Sequence, residues 1–202
     1  MKKRPFLLAS VLLAGCFAFF LALAVTVASF VGQPTNLVIG DKIGIVEIYG
    51  VIADSKQVIE QLHEFRDNDS IKALVLRIDS PGGGVGPSQE IYDEVLALDE
   101  LKPVVVSMGS VAASGGYYVA AAAREIVANP GTITGSIGVI MEFANFQELL
   151  EKIGLSSVVV KSGAYKDIGS PTREMSIAEK EILQDLIDDV HSQFVSSVAE
   201  GR

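Results

Sequence analysis

The sequence predicts an α/β protein with a parallel or mostly parallel sheet, preceded by one transmembrane helix at the N-terminus. Three observations carry that expectation. Short unbroken runs of Val, Ile and Leu, such as Ala73–Ile78 and Val104–Met108, have the composition of strands covered on both faces. Stretches of helical periodicity separate them, which is the alternation of a parallel sheet with crossover helices. Ahead of both, Pro5 to Gly40 contains no charged residue, and Phe6 to Val31 is an almost continuous apolar run.

As a helix that run would be roughly 39 Å long, enough to cross a hydrocarbon core of about 30 Å with some tilt. Lys2, Lys3 and Arg4 precede it and all 25 acidic residues follow it, so the positive-inside rule keeps the N-terminus in the cytoplasm and exports the rest. Leu13-Ala14-Gly15-Cys16 also has the form of a lipoprotein cleavage box, in which Cys16 would become an acylated N-terminus. The apolar run continuing from Phe17 to Val31 favours an uncleaved anchor. The chain thus reads as a basic tip and anchor over 1–32, a linker over 33–41 containing Pro, Asn and Gly, and one domain over 42–202.

A net charge of −9, with no basic run after Arg4, argues against nucleic acid as a partner. A single cysteine excludes a disulfide scaffold, so packing must stabilise the domain. Ile43–Ile52 is expected as a strand, and Asp54–Asp67 as a helix with Val58, Leu62 and Phe65 on one face. Ala73–Ile78 is the second strand, followed by a Gly-rich turn and a helix over Pro87–Leu101, and Val104–Met108 is the third. Ser114–Ala123 reads as a buried helix, Glu125–Ala128 as a short strand, Phe143–Ile153 as a helix and Ser157–Lys161 as a strand. The last helix opens with a capping box, Ser176-x-x-Glu179, and runs to about Val198.

In a parallel α/β sheet, chemistry gathers at the carboxyl ends of the strands. That rule selects the loops Asp79–Ser88, Gly109–Gly116 and Ser162–Ser170. His63 and His191 fall in amphipathic helices instead and read as surface residues. No His, Cys or carboxylate pair has metal-ligand spacing, and no lysine follows the Gly-rich stretch as in a phosphate loop. Neither a metal nor a cofactor is therefore expected.

Ser114, in Gly109-Ser110-Val111-Ala112-Ala113-Ser114-Gly115-Gly116, sits between a strand end and a helix with only small neighbours, so a carbonyl group could approach its hydroxyl. The N–H of Gly115, at the helix start, is a natural donor to an oxyanion. The loop Asp79-Ser80-Pro81-Gly82-Gly83-Gly84 could supply a second one. Tight helix–sheet packing and a plain turn explain the same residues separately; the pairing of the two loops raises the case for chemistry. With both histidines badly placed, the base for a serine must be something else, and Lys166 lies in a strand-end loop among small and apolar neighbours. It would have to be held neutral, which burial favours. Asp167 beside it could pair with it and oppose that.

Four ordered motifs resemble the short-form bacterial signal peptide peptidases (SppA). They are Asp79-Ser80-Pro81-Gly82-Gly83-Gly84, Ser-x-Ala-Ala-Ser-Gly-Gly-Tyr-Tyr ending at Tyr118, Thr134-Gly135-Ser136-Ile137-Gly138-Val139, and Tyr-Lys-Asp-Ile-Gly-Ser-Pro-x-Arg-Glu-Met ending at Met175. The resemblance runs from about Lys42 to Arg202. It implies a Clp-protease/crotonase-like fold and a Ser-Lys dyad serine endopeptidase. Ser114 would be the nucleophile, Lys166 the general base, Ser136 the serine that orients the lysine, and Gly83 and Gly115 the oxyanion-hole donors. The implied substrates are hydrophobic peptides, the remnants of cleaved signal peptides. The implied setting is the bacterial cytoplasmic membrane, with the catalytic domain on its outer side. Family members form homo-oligomers in which neighbouring chains share active sites, so Lys166 of one chain could serve Ser114 of the next. They also continue past the last helix, which implies a peptidase domain incomplete at its C-terminus. The same fold leaves two alternatives: an inactive membrane scaffold, and a crotonase-like acyl-CoA enzyme that uses the oxyanion loops without a nucleophile.

Overall fold

The computed structural model describes residues 5–31 and 40–202, with side chains over 13–26 and 40–202. The chain divides after Gly40 into two compact units. In the first, α1 (Pro5–Val31) is a helix of 27 residues. Its described side chains are exposed, among them Leu13, Phe17 and Phe20. Counted over the described residues, no helix is long and apolar enough to cross a membrane. The transmembrane helix expected over Phe6–Val31 is therefore not established by them, and the basic tip and the linker as far as residue 39 lie outside the described residues.

The second unit is built on five strands, β1 (Lys42–Tyr49), β2 (Ile71–Ser80), β3 (Val104–Ala113), β4 (Glu125–Val127) and β5 (Ile133–Gly135). They run β1-β2-β3-β4, with β5 also on β3, and every pairing is parallel. The connections are α2 (Lys56–Asp67), α3 (Val85–Leu101) and α4 (Gly115–Ala121), followed later by α5 (Gln147–Lys152) and α6 (Ile177–Gly201). This is the α/β class with a parallel sheet that the apolar runs predict.

Alternate residues of the three long strands (Val46, Ile48, Leu74, Leu76, Ile78, Val104, Val106, Met108) form the core with Leu62 of α2, Ile91, Val95 and Leu98 of α3 and Val119 of α4. Each such side chain, fully buried, contributes about 1.5–3 kcal/mol. Val58 and Phe65 flank Leu62 as the helical spacing predicts. The other face of the sheet is only half covered, with Ile43 and Ile45 exposed. That corrects the expectation of two covered faces: apolar runs alone do not say which side the helices choose.

Four further elements differ from the sequence reading, one of them β5, which that reading did not include. β3 continues five residues beyond Met108. The ladder shifts where Ile78 pairs with Met108 and Ser80 with Ala112, and Asp79 Oδ1 fills the gap by accepting the Val111 N–H at 3.1 Å. The helix expected from Phe143 starts only at Gln147, because the Asn145 side chain accepts the Gln147 N–H at 2.9 Å and the Phe146 N–H donates to Pro171 O at 2.7 Å. Ser157–Lys161 has the β-branched composition of a strand, yet pairs with none among the described residues, and Val158 and Val160 are 85% and 96% exposed. Propensity makes a strand only where a partner edge is offered.

Candidate active site

The carboxyl ends of β2 and β3 lie together. β3 ends at Ala113, and the chain turns through Ser114 into α4 with φ 50° and ψ −123° at that serine. Only two non-glycine residues among those described have positive φ, Ser114 and Ser136. Such backbone costs on the order of 1–3 kcal/mol and persists where neighbours over-determine it. Here they do: the Ser114 N–H donates to Gly135 O at 2.9 Å, its carbonyl accepts the Tyr118 N–H at 2.8 Å, and Ala113 pairs with Gly135 in the β3–β5 ladder. Ser136 directly follows Gly135, so β5 brings the second strained serine alongside the first.

The Gly-rich loop closes on this turn. Gly82 has φ +100°, and a Cβ there would sit 2.7 Å from Gly115 N and 2.8 Å from Ser114 Cβ. Gly83 is held by a parallel bridge to Ile52: the Ile52 N–H donates to Gly82 O at 3.0 Å and the Gly84 N–H to Ile52 O at 2.8 Å. The Gly83 N–H takes no part in that bridge. The Gly115 N–H is the first of α4 and has no partner inside the helix. A Cβ on Gly115 would lie 3.3 Å from Gly83 N, so the two free donors are neighbours. Sequence reasoning joined these loops, and the structure brings them together.

Beside Ser114 opens a cavity of about 120 Å³. Gly83 and Gly115 line it beside Ser114, and Val85, Tyr118, Val139, Ile140, Val190 and Phe194 give it an apolar lining. Phe194 packs edge-on to Tyr118 at 4.9 Å, and Tyr118 stacks obliquely on Tyr92 at the same distance. Ser88 also lines the cavity; it is buried, and its Oγ donates to Gly84 O at 2.8 Å. The sequence reading ended its loop at Ser88 without giving it a task. Its position four residues after Gly84, on the first turn of α3, is the signal that could have found it.

Lys166 lies elsewhere. It sits in a series of tight turns, its N–H donating to Gly163 O at 3.3 Å, and its side chain is exposed. Neither Lys166 nor Ser136 lines the cavity. The expected burial of Lys166 is thus not met within one chain, because its loop follows the unpaired segment Ser157–Lys161 instead of a strand end. Asp167, the feared partner of Lys166, is engaged otherwise. Its carboxylate accepts from Arg173 Nε at 2.8 Å and from Lys161 Nζ. Arg173 also donates to both oxygens of Glu179, and the same carboxylate accepts the Ser176 N–H at 2.9 Å in the capping box of α6. Arg173, then Lys161, holds the Asp167 carboxyl well below its ordinary range. Arg173, then the Ser176 backbone, lowers Glu179 to about 2. Glu179, then Asp167, pushes the Arg173 guanidinium up. The capping box was legible in sequence; its junction with Arg173 and Asp167 was not.

His63 is on α2, 2.8 Å from Glu94 on α3, and His191 is exposed on α6; neither lines the cavity beside Ser114.

Comparison with known proteins gives two family matches. The profile described as peptidase family S49 matches residues 97–202, and that described as Clp protease matches residues 41–132. The chain is 51% identical over 163 residues to "Putative protease slr0021" of Synechocystis sp., covering 80% of this chain and 58% of that protein. It is 36% identical over 175 residues to "Putative signal peptide peptidase SppA" of Enterococcus faecium, covering 80% and 51%. Over 149 residues it is 38% identical to "Serine protease SPPA, chloroplastic" of Arabidopsis thaliana, covering 73% and 22%. The chain therefore spans little more than half the length of the first two.

Proposed function

Since the chain belongs to peptidase family S49, we propose that it is a membrane-anchored serine endopeptidase that degrades the apolar remnants of signal peptides, using Ser114 as nucleophile and Lys166 as general base. The observation that carries this reading is the strained turn at Ser114, with two free backbone donors beside it at the mouth of an apolar cavity. Strain at one serine, flanked by residues that permit close approach, is the arrangement of an exposed nucleophile.

In the proposed reaction, neutral Lys166 takes the proton from Ser114 Oγ as that oxygen attacks the peptide carbonyl carbon. The oxyanion is held by the N–H groups of Gly83 and Gly115. Lys166, now charged, gives its proton to the leaving amine, and the carbon–nitrogen bond breaks. The acyl group on Ser114 is released by a water that passes a proton to the same lysine, which returns it to Ser114 Oγ as the ester carbon–oxygen bond breaks. Ser136 orients the lysine, and the apolar cavity takes the side chain next to the scissile bond.

Lys166 acts on Ser114 of a neighbouring copy in a homo-oligomer. Its exposure and its absence from the cavity lining support that, as do the uncovered apolar residues Ile140, Val158 and Val160. The anchor is the apolar run Phe6–Val31, oriented by Lys2, Lys3 and Arg4, with the peptidase unit on the outer side of a bacterial cytoplasmic membrane.

The test is the intact mass of the full chain in detergent after exposure to an apolar peptidyl reagent that acylates serine. Wild type should gain one adduct, while Ser114→Ala and Lys166→Ala should gain none. Absence of an adduct from folded wild type, or its survival in Ser114→Ala, would overturn the reading.

A further inference from the structure

From the ion-pair network beside Lys166 we infer that Arg173 is a positioning residue for the general base: by holding Asp167 it keeps the carboxylate nearest in sequence from pairing with Lys166. The inference rests on the Ser-Lys reading above.

A lysine serves as a base only while neutral, and an adjacent carboxylate favours its charged form. Asp167 follows Lys166 directly, so the sequence by itself places an acid where a base must work. The fold diverts that acid. Arg173 reaches Asp167 with Nε at 2.8 Å and donates to the Asp167 carbonyl with a terminal nitrogen at 3.2 Å. The guanidinium's planar fork then grips Glu179, which is 3% exposed. Lys161 takes the second Asp167 oxygen and also donates to Ala164 O at 2.8 Å. Both oxygens of Asp167 are therefore engaged by other cations, while the Lys166 ammonium group has no hydrogen bond or ion pair among the described residues.

The charged groups facing Asp167 are Lys161 and Arg173 from the loops and, across Arg173, Glu179 from α6; Lys180 lies on the same helix turn. The segment Phe143–Gln147 packs on this loop as well, with the Phe143 ring against Gly169 and the Phe146 N–H on Pro171 O, but brings no charge. Glu174, beside Arg173, is exposed, and its N–H donates to Gln147 Oε1. Arg173 is thus the one contact that secures both Asp167 and the start of α6. A lysine in its place could not grip two carboxylates with a fixed fork.

The test reads Lys166 without relying on catalysis. The full chain in detergent is treated with acetic anhydride across a pH series, and acetylation of Lys166 is followed by peptide mass spectrometry. In Arg173→Gln, where Asp167 keeps only Lys161, its released oxygen should raise the labelling midpoint of Lys166 by about one pH unit. Arg173→Gln combined with Asp167→Asn should return it to the wild-type value. Asp167→Asn alone should leave it in place, a control that holds even if Arg173→Gln does not fold. An unmoved midpoint in folded Arg173→Gln, a shift that persists in the double variant, or a fall in Asp167→Asn alone would each overturn the inference. The Ser114 adduct, measured in parallel, separates the two readings. At pH 7 it should form about tenfold more slowly in Arg173→Gln and recover in the double variant. If the wild type forms no adduct, the Ser-Lys reading falls and takes this inference with it. If it forms one and Lys166 labelling does not respond, the inference alone falls.

Discussion

The turn that carries Ser114 and the loop that carries Lys166 are held in place by opposite materials. Around Ser114 nearly everything is backbone: four glycines, a two-residue bridge to Ile52, and the last pairs of the β3–β5 ladder. No charged side chain lines the cavity. Around Lys166 nearly everything is ionic, with Lys161, Asp167, Arg173 and Glu179 in one chain of contacts. Backbone contacts are indifferent to pH and salt, whereas ion pairs respond to both. The Ser114 turn is therefore fixed by geometry and the Lys166 loop by electrostatics, and the two should fail under different conditions.

The sharpest break is Ser114→Ala, which should cut peptide cleavage by at least about a thousandfold while leaving the melting temperature nearly unchanged, since it removes one oxygen. Gly82→Ala should come next. Its Cβ has no room against Gly115 N and its φ is +100°, so activity should fall on the order of a hundredfold and stability with it, measured by cleavage assay and thermal melting. A smaller effect should separate the two halves by pH. Glu179 and Asp167 are held below their ordinary values, so their stabilising contribution is complete above about pH 4.5 and is lost as pH falls from there toward about 2. Hydrogen exchange of the Ser162–Arg173 amides should accelerate over that window while that of β2 and β3 does not; equal acceleration in both would erase the distinction. The smallest is Ser176→Ala, which should cost about 1 kcal/mol in chemical denaturation by removing the cap of α6.

The two halves also differ in how far they could be read from sequence. The meeting of the loops that bear Ser114, Gly83 and Gly115 was legible because the parallel fold fixes which strand ends lie together; Gly83 itself was singled out only by the family resemblance. The core strands and the helical face of Leu62 followed from periodicity. β5 was missed because three residues, Ile133–Gly135, are too short to show alternation; their strand character comes from the second half of β3. Ser157–Lys161 was misread because valine content records willingness to pair and says nothing of a partner. The arrangement of Asp167 was illegible in principle. Lys166 beside Asp167 is the obvious pair on paper, and only the turns between Gly163 and Ser170 aim the carboxylate at Arg173 instead.

The four glycines at the carboxyl ends of β2 and β3 also have a genetic consequence. At Gly82, Gly83, Gly115 and Gly116 a Cβ would meet another atom closer than 3.0 Å, and most of those neighbours are backbone atoms that cannot step aside. Every amino acid other than glycine carries a Cβ, so no missense change at these codons is conservative. In a saturation library selected for cleavage, these four positions should retain glycine alone, while Gly86, Gly131 and Gly138, which have open space around them, should accept many residues.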